Sequence, residues 1–342
     1  MQNHFEQKVR VIMREIIVDI IDEYRRLGID QQLGYAKFHL YSIITHSTAI
    51  EGSTVSEVEN RLLFDEGIGA QKPLVEQLMN LDLKAAYEQG LIYARQHTDY
   101  SLDMLCGLSA LVMKNNGAEY SAMAGNFSAA KGELRLLNVS AGVGGRSYLS
   151  YQKVPSRTEA FCQWLNKERK NTDPKDIEKV YDLSFEAHYR LVEIHPWADG
   201  NGRMSRLVMN MIQYEFGAVP SIVKKESRKQ YITSLERSEE ENRPDKFKTF
   251  MLDHHCKNLT KQIAEYRRSI EKDDPINDPI NAKPSLLDLI KLHPDYNYSQ
   301  FAAEIGVSEA TIKRRLGQLR KEGKIVRIGA NKNGHWEVIP QK

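Results

Sequence analysis

The sequence predicts a mainly α-helical fold with a short β-hairpin flap, followed by a small α+β domain at its C-terminal end. Three observations predict it. Apolar residues recur at steps of three and four, as in Leu74, Leu78, Leu81 and Ala85, and again in Ile177, Val180, Leu183, Ala187, Leu191 and Ile194. One glycine-led stretch, 141–155, breaks that period. Beyond a charged segment holding Pro275, Pro279 and Pro284, the pattern changes to short helices followed by two strands.

The bulk properties bound the answer. At 342 residues the chain has room for roughly two domains of about 150 residues each. A hydrophobic content of 41% with 27% charge and a mean hydropathy of -0.53 is that of an ordinary globular protein. The cysteines Cys106, Cys162 and Cys256 are sparse and unpatterned, which argues against a disulfide framework or a structural zinc site and makes the reducing cytoplasm the expected location. Val11 to Ile21, the most apolar early stretch, is interrupted by Arg14, Glu15 and Asp19; it reads as an amphipathic helix, and no membrane partner is expected.

In chain order, residues 1–95 form an N-terminal helical region, 96–268 a helical core, 269–284 a linker, and 285–342 the small C-terminal domain. Within the core, Gly142, Gly144 and Gly145 lead into Tyr148, Leu149, Ser150, Tyr151, Gln152 and Lys153, which suggests a hairpin or extended flap.

The chemistry concentrates at 195–206, between two amphipathic helical patterns, the second running through Leu207, Val208, Met211 and Ile212. Pro196 disfavours helical geometry at His195, so the imidazole is expected at the helix end. Gly200 and Gly202 let the backbone approach a ligand where the amides of the next helix favour an anion. Arg203 and Arg206, three apart on its first turn, can face one polyphosphate. Asp199 is placed to hold Mg²⁺ that also takes phosphate oxygens. Neutral His195 can accept a proton from an attacking hydroxyl. A bare Asp-Gly or Asn-Gly turn needs none of these companions.

HPWADGNGRMSR at 195–206 resembles the motif of the Fic (filamentation induced by cAMP) family, HPFx(D/E)GNGRxxR, at every signature position except Phe, here Trp197. The resemblance implies a helical Fic core that acts as a protein adenylyltransferase. It would transfer AMP from ATP to a Ser, Thr or Tyr hydroxyl of a protein target, or of the chain itself. It further implies His195 as general base, Asp199 as Mg²⁺ ligand, Gly200, Asn201 and Gly202 on the α and β phosphates, and Arg203 and Arg206 on the distal phosphates. Retention of Gly200 favours AMP transfer over the kinase variants. By placement, Tyr148, Leu149, Ser150 and Tyr151 correspond to the family's target-docking flap, which would align a target segment as an added strand. Tyr231, within Arg228 to Ile232, corresponds to its adenine-pocket tyrosine; the asparagine the family often places about eight residues on is replaced by Glu239.

Ser47 to Gly52 matches the family's inhibitory pattern (S/T)xxxE(G/N). On its own a Ser and a Glu four apart before a glycine would be a solvated helix end with a glycine cap. Beside a Fic core, Glu51 is expected to pair with Arg206 and deny the γ-phosphate its cation.

From residue 283 onward eleven Lys or Arg face six Asp or Glu, a balance of +5. An apolar face over Leu286, Leu287, Leu289 and Ile290 starts this part, followed by a helix from Tyr298 to Ile305, a turn at Gly306 and a third helix opened by Ser308. With strands at 324–328 and 335–339, it resembles a winged helix-turn-helix. Such a domain implies DNA as a partner through Lys313, Arg314 and Arg315, or a protein contact. Two further readings use the same residues: a DNA-binding regulator with a sensory or silent core, and an AMP-removing or other phosphate-transfer enzyme.

Overall fold

The computed structural model describes residues 16–141, 145, 147–241, 243–271, 286–305, 309–321, 323–329 and 334–339. Helix α1 covers 16–26 of these, and α2 (Tyr35–Ile50) follows after a 3-10 turn. α3 (Glu57–Glu66) opens on a capping box. Ser56 Oγ accepts from Glu59 N at 3.3 Å and Glu59 Oε2 from Ser56 N at 2.8 Å, a device worth about 1 kcal/mol. α4 (Leu74–Arg95) and α5 (Leu102–Met113) lead to an antiparallel hairpin, β1 (Glu119–Ala122) and β2 (Gly125–Ser128), that no sequence pattern announced. α6 (Val154–Asn171), α7 (Ile177–Ile194), α8 (Asn201–Glu215), α9 (Arg228–Glu240) and α10 (Asp245–Glu271) follow.

The fold is thus mainly helical, with small hairpins. α8 lies at the centre of one core. Met204, Leu207, Val208, Met211 and Ile212 on it pack with Leu83, Ala86 and Tyr87 of α4, Leu105 and Leu108 of α5, and Leu183, Ala187 and Leu191 of α7. Each of the Leu, Ile, Val and Met side chains contributes about 1.5–3 kcal/mol through burial, the alanines less. α4 itself corrects the sequence reading. The helix forms where the spacing predicts it, but Leu74 and Leu81 stay exposed while Asn80, Asp82, Leu83, Ala86 and Tyr87 face inward. The polar pair is buried because both side chains are hydrogen-bonded, so apolarity alone picks the wrong stripe.

Two compact units emerge, Met1–Ala264 and Glu265–Lys342, the division falling within α10. The boundary expected at 95/96 lies between α4 and α5, which share the same core. α10 continues through Glu271, past the expected linker start at 269; the rest of the expected linker, 272–284, lies outside the described residues. His254, His255 and Cys256 lie inside α10. No helix among the described residues is long and apolar enough to cross a membrane.

The second unit contains α11 (Leu286–Leu292), α12 (Tyr298–Ile305), α13 (Glu309–Lys321) and the antiparallel pair β3 (Ile325–Ile328) and β4 (His335–Val338). Leu286, Leu289, Ile290, Phe301, Ile312, Leu316, Ile325 and Trp336 form its core. Gly306 and Ser308, the expected turn and helix start, lie outside the described residues. On α13, Lys313 and Arg314 are exposed and Arg315 is half-buried; Lys313 Nζ lies 5.5 Å from the centre of the Tyr298 ring.

Candidate active site

α7 stops at Ile194 because Pro196 excludes helical geometry from the residue before it. His195 leaves in the left-handed region, at φ 52° and ψ 62°, with its N–H still donating to Leu191 O at 3.0 Å. The imidazole Nδ1 lies 3.3 Å from Val192 O. A proton on Nδ1 donated to that carbonyl leaves the Nε2 lone pair as the acceptor. Tyr148 stacks on the imidazole with ring centres 3.8 Å apart and planes at 20°. Burial pushes the His195 pKa down to about 4, against a counterpull from the Val192 carbonyl; the Arg135 charge adds to the fall and Glu51 opposes it. The imidazole is therefore neutral at pH 7.

The loop that follows is braced from inside. Asn201 Nδ2 donates to Trp197 O at 2.8 Å, and Trp197 N donates to Asn201 Oδ1 at 3.1 Å. The Asn201 side chain is thus occupied by the loop backbone, and what Asn201 offers an anion is its N–H. Trp197 is fully buried, its Nε1 donating to Gly132 O at 3.0 Å. Gly200, at φ 83°, caps α8, where a Cβ would come within 2.7 Å of Met113 Sδ. The first-turn amides of α8 have no intrahelical acceptors and carry the positive end of its dipole. Asp199 is exposed over 58% of its side chain, and its Oδ1 accepts from Gly200 N at 2.5 Å.

The two arginines do not share a target. Arg203 turns toward α5, donating to Asn116 Oδ1 at 2.9 Å, and Asp82 Oδ2 accepts from Asn116 Nδ2 at 2.9 Å. Asp199 Oδ1 is 3.6 Å from Arg203 Nη2, and the buried Arg203 Nε has no hydrogen-bond acceptor among the described residues. Arg206, 3% exposed, turns toward α2. Its Nε donates to Ser47 Oγ at 2.8 Å, its Nη2 to Ser47 O at 3.0 Å and to Glu51 Oε1 at 2.6 Å. Burial raises the Glu51 pKa, but the Arg206 charge and hydrogen bond outweigh that and hold the carboxyl below its usual range. Glu51 caps the C-terminal end of α2, and Oε1 lies 2.7 Å from where a Cβ on Gly202 would stand. The carboxylate therefore leans over the first turn of α8.

Tyr231 lies behind Arg206. It is 1% exposed, with its hydroxyl 3.4 Å from Arg206 Nη1 and 2.8 Å from His188 Nε2. A groove of about 430 Å³ opens beside His195, lined by Tyr148, Leu149, Phe161, Trp164, Ile194 and Glu239, without Tyr231. Tyr231 braces Arg206 from behind, and the α9 residue that lines this groove is Glu239.

The flap is less regular than its alternation suggests. Among the described residues its one strand-like pairing is the bridge Ser140–Ser147, and residues 142–144 and 146 lie outside the described residues. Ser150 precedes a 3-10 turn, Tyr151–Lys153, that runs into α6, whose Pro155 occupies the first turn, where a missing N–H costs nothing.

Sequence reasoning missed Asp82 and Asn116 behind Arg203, His188 behind Tyr231, and Arg135. Arg135, 1% exposed, donates from Nε to His195 O at 2.7 Å, from Nη1 to Leu137 O at 2.8 Å and from Nη2 to Leu149 O. A lone cation set among Leu134, Leu136 and Leu137 was the signal available for it.

Residues 99–213 match the model of the Fic/DOC family. The protein adenylyltransferase fic-1 of Caenorhabditis elegans is 27% identical over 228 residues, covering 65% of this chain and 41% of that one. The protein adenylyltransferase Fic of Drosophila grimshawi is 27% identical over 243 residues, covering 66% and 46%. The chain thus spans less than half the length of these curated relatives. Among solved structures, a Fic domain-containing signalling protein of Bacteroides thetaiotaomicron superposes with a TM-score of 0.61 at 19% identity, over 74% of this chain and 97% of that one. A Fic family protein of Desulfovibrio desulfuricans G20 gives 0.56 at 19% identity, over 96% and 97%. Motif, helical fold and family match agree on a Fic domain over residues 99–213.

Proposed function

We propose that the chain is a protein adenylyltransferase that moves AMP from ATP to a hydroxyl of a protein, held in check by Glu51. The observation that carries this is a neutral, half-buried imidazole at the end of α7 beside the first-turn amides of α8. The curated names of the relatives support the same reading. The target hydroxyl loses its proton to His195 Nε2 as its oxygen attacks the α-phosphorus. The bond from that phosphorus to the bridging oxygen breaks, and pyrophosphate leaves with the electron pair. The α8 amides stabilise charge on the phosphates. The unpartnered Arg203 Nε suits a phosphate oxygen, and Arg206 is the cation that Glu51 withholds.

Asp199 is an exposed carboxylate, and no cluster of three or more His, Cys, Asp or Glu suited to a metal occurs among the described residues. That donor set fits a Mg²⁺ shared with nucleotide phosphates and does not fit a resident ion. When bound with ATP, Mg²⁺ would neutralise phosphate charge.

In the second unit, the exposed Lys313 and Arg314 support contact with a nucleic-acid backbone.

The test is incorporation of α-labelled AMP into protein by wild type, Glu51→Gly and Glu51→Gly/His195→Ala. Label is expected in the single variant and not in the double. A Glu51→Gly protein that binds ATP yet transfers no label to itself or to a lysate overturns the assignment.

A further inference from the structure

Arg135 is a buried cation for which no carboxylate partner occurs among the described residues. Desolvating a guanidinium costs several kcal/mol unless its donors are satisfied, and here backbone carbonyls satisfy them. Those carbonyls come from two functional segments. His195 O is the carbonyl at which α7 ends, where the negative end of the helix dipole favours a cation. Leu149 O belongs to the flap, one residue after the ring that stacks on the imidazole. The Arg135 backbone adds a third tie, its N–H donating to Pro196 O at 3.1 Å. The flap is fastened on its other side by Tyr148 N, which donates to Val139 O at 3.0 Å. Loop closure alone would need only neutral donors. A fixed, planar fork reaching three carbonyls sets the distance and orientation between the segments it joins.

The geometry points to Arg135 as the positioning residue that locks the His195 loop and the Tyr148–Leu149 flap into one register, so that base and docked hydroxyl meet in line. This rests on the AMP-transfer reading of the site. Arg135 itself touches neither nucleotide nor target. Its loss therefore acts on the alignment of the reacting groups, and nucleotide binding at α8 is spared.

The experiment compares Arg135→Met and Arg135→Lys, each in the Glu51→Gly background. Turnover with α-labelled ATP, ATP affinity by calorimetry and amide hydrogen exchange by mass spectrometry are measured. In Arg135→Met, turnover is expected to fall on the order of 100-fold, with ATP affinity within about threefold, the scale of a misplaced reacting group. Exchange should quicken in the peptides covering 147–150 and 194–199 and stay unchanged in α4, α5 and α10. Arg135→Lys, which keeps the charge without the fork, should fall between the two. If Arg135→Met does not fold, Arg135→Lys decides on the same three readouts.

Unchanged turnover and exchange overturn the proposal. So does exchange that rises evenly through the first unit, or ATP affinity that falls in step with turnover, since either assigns Arg135 to the fold or to nucleotide binding. If Glu51→Gly with Arg135 intact transfers no AMP, the enzymatic reading fails, while the exchange data still decide whether Arg135 couples the two segments.

Discussion

Glu51→Gln separates the two ways in which Glu51 can obstruct the site. The carboxylate meets Arg206 at 2.6 Å, with the guanidinium 3% exposed and the Glu51 side chain 34% exposed. A charge-assisted hydrogen bond of this kind is worth about 1.5–3 kcal/mol when buried; solvent at the Glu51 end reduces that to about 1–2 kcal/mol, or a factor of about 5–30. Arg206 keeps its bonds to Ser47 Oγ and Ser47 O when the charge is removed, so the cation stays in place for a phosphate. Glu51→Gln should thus tighten ATP about 5–30-fold and raise AMP incorporation by a similar factor. Glu51→Gly should exceed it, because it also clears the atoms that lean over Gly202. Calorimetry with ATP and label incorporation measure the two effects. If Glu51→Gln binds ATP as wild type does while Glu51→Gly binds tightly, obstruction is by bulk and the electrostatic argument fails. If neither differs from wild type, the Glu51–Arg206 pair does not limit binding.

Three further outcomes are expected. The His195 imidazole, followed by NMR and assigned with His195→Ala, should titrate near pH 4 and not 6.5. Because the folded chain binds fewer protons there than the unfolded one, this group lowers stability as pH falls from 6.5 toward 4, and a normal titration would contradict the neutral-base assignment. Trp197→Phe strands Gly132 O inside the core and should cost about 1–3 kcal/mol, lowering the melting temperature by several degrees; a shift under one degree would show that the bond is dispensable. Lys313→Ala/Arg314→Ala should weaken duplex DNA binding and flatten its log–log salt slope by about 2, and an unchanged slope would remove those residues from any phosphate contact.

The amino-acid sequence made the chemistry of 195–206 legible because each constraint there is local. Pro196 dictates the conformation of His195, and Gly200 supplies the left-handed cap of α8. The Glu51–Arg206 contact spans 155 positions and was legible only through a family pattern. Periodicity gave the span of α4 but not its face, because Asn80 and Asp82 are buried by partners that no hydropathy scale can see. The contacts of Tyr231 were hidden for a related reason: its hydrogen bonds to Arg206 and His188 join positions far apart in the chain. Arg135 escaped because its ligands are main-chain carbonyls, which every residue carries.

Glu51 and Arg206 belong to the same folded polypeptide, so their encounter is unimolecular. The local concentration of carboxylate at the guanidinium is set by α2 and does not change with the amount of protein present. Dilution cannot loosen such a contact, nor can a surplus of chain tighten it. An agent that frees Arg206 by displacing Glu51 acts on the last turn of α2, by bending it, modifying it or binding it more strongly when it is displaced. The response should accordingly follow the concentration of that agent, and remain the same in a sparsely and a densely populated cell.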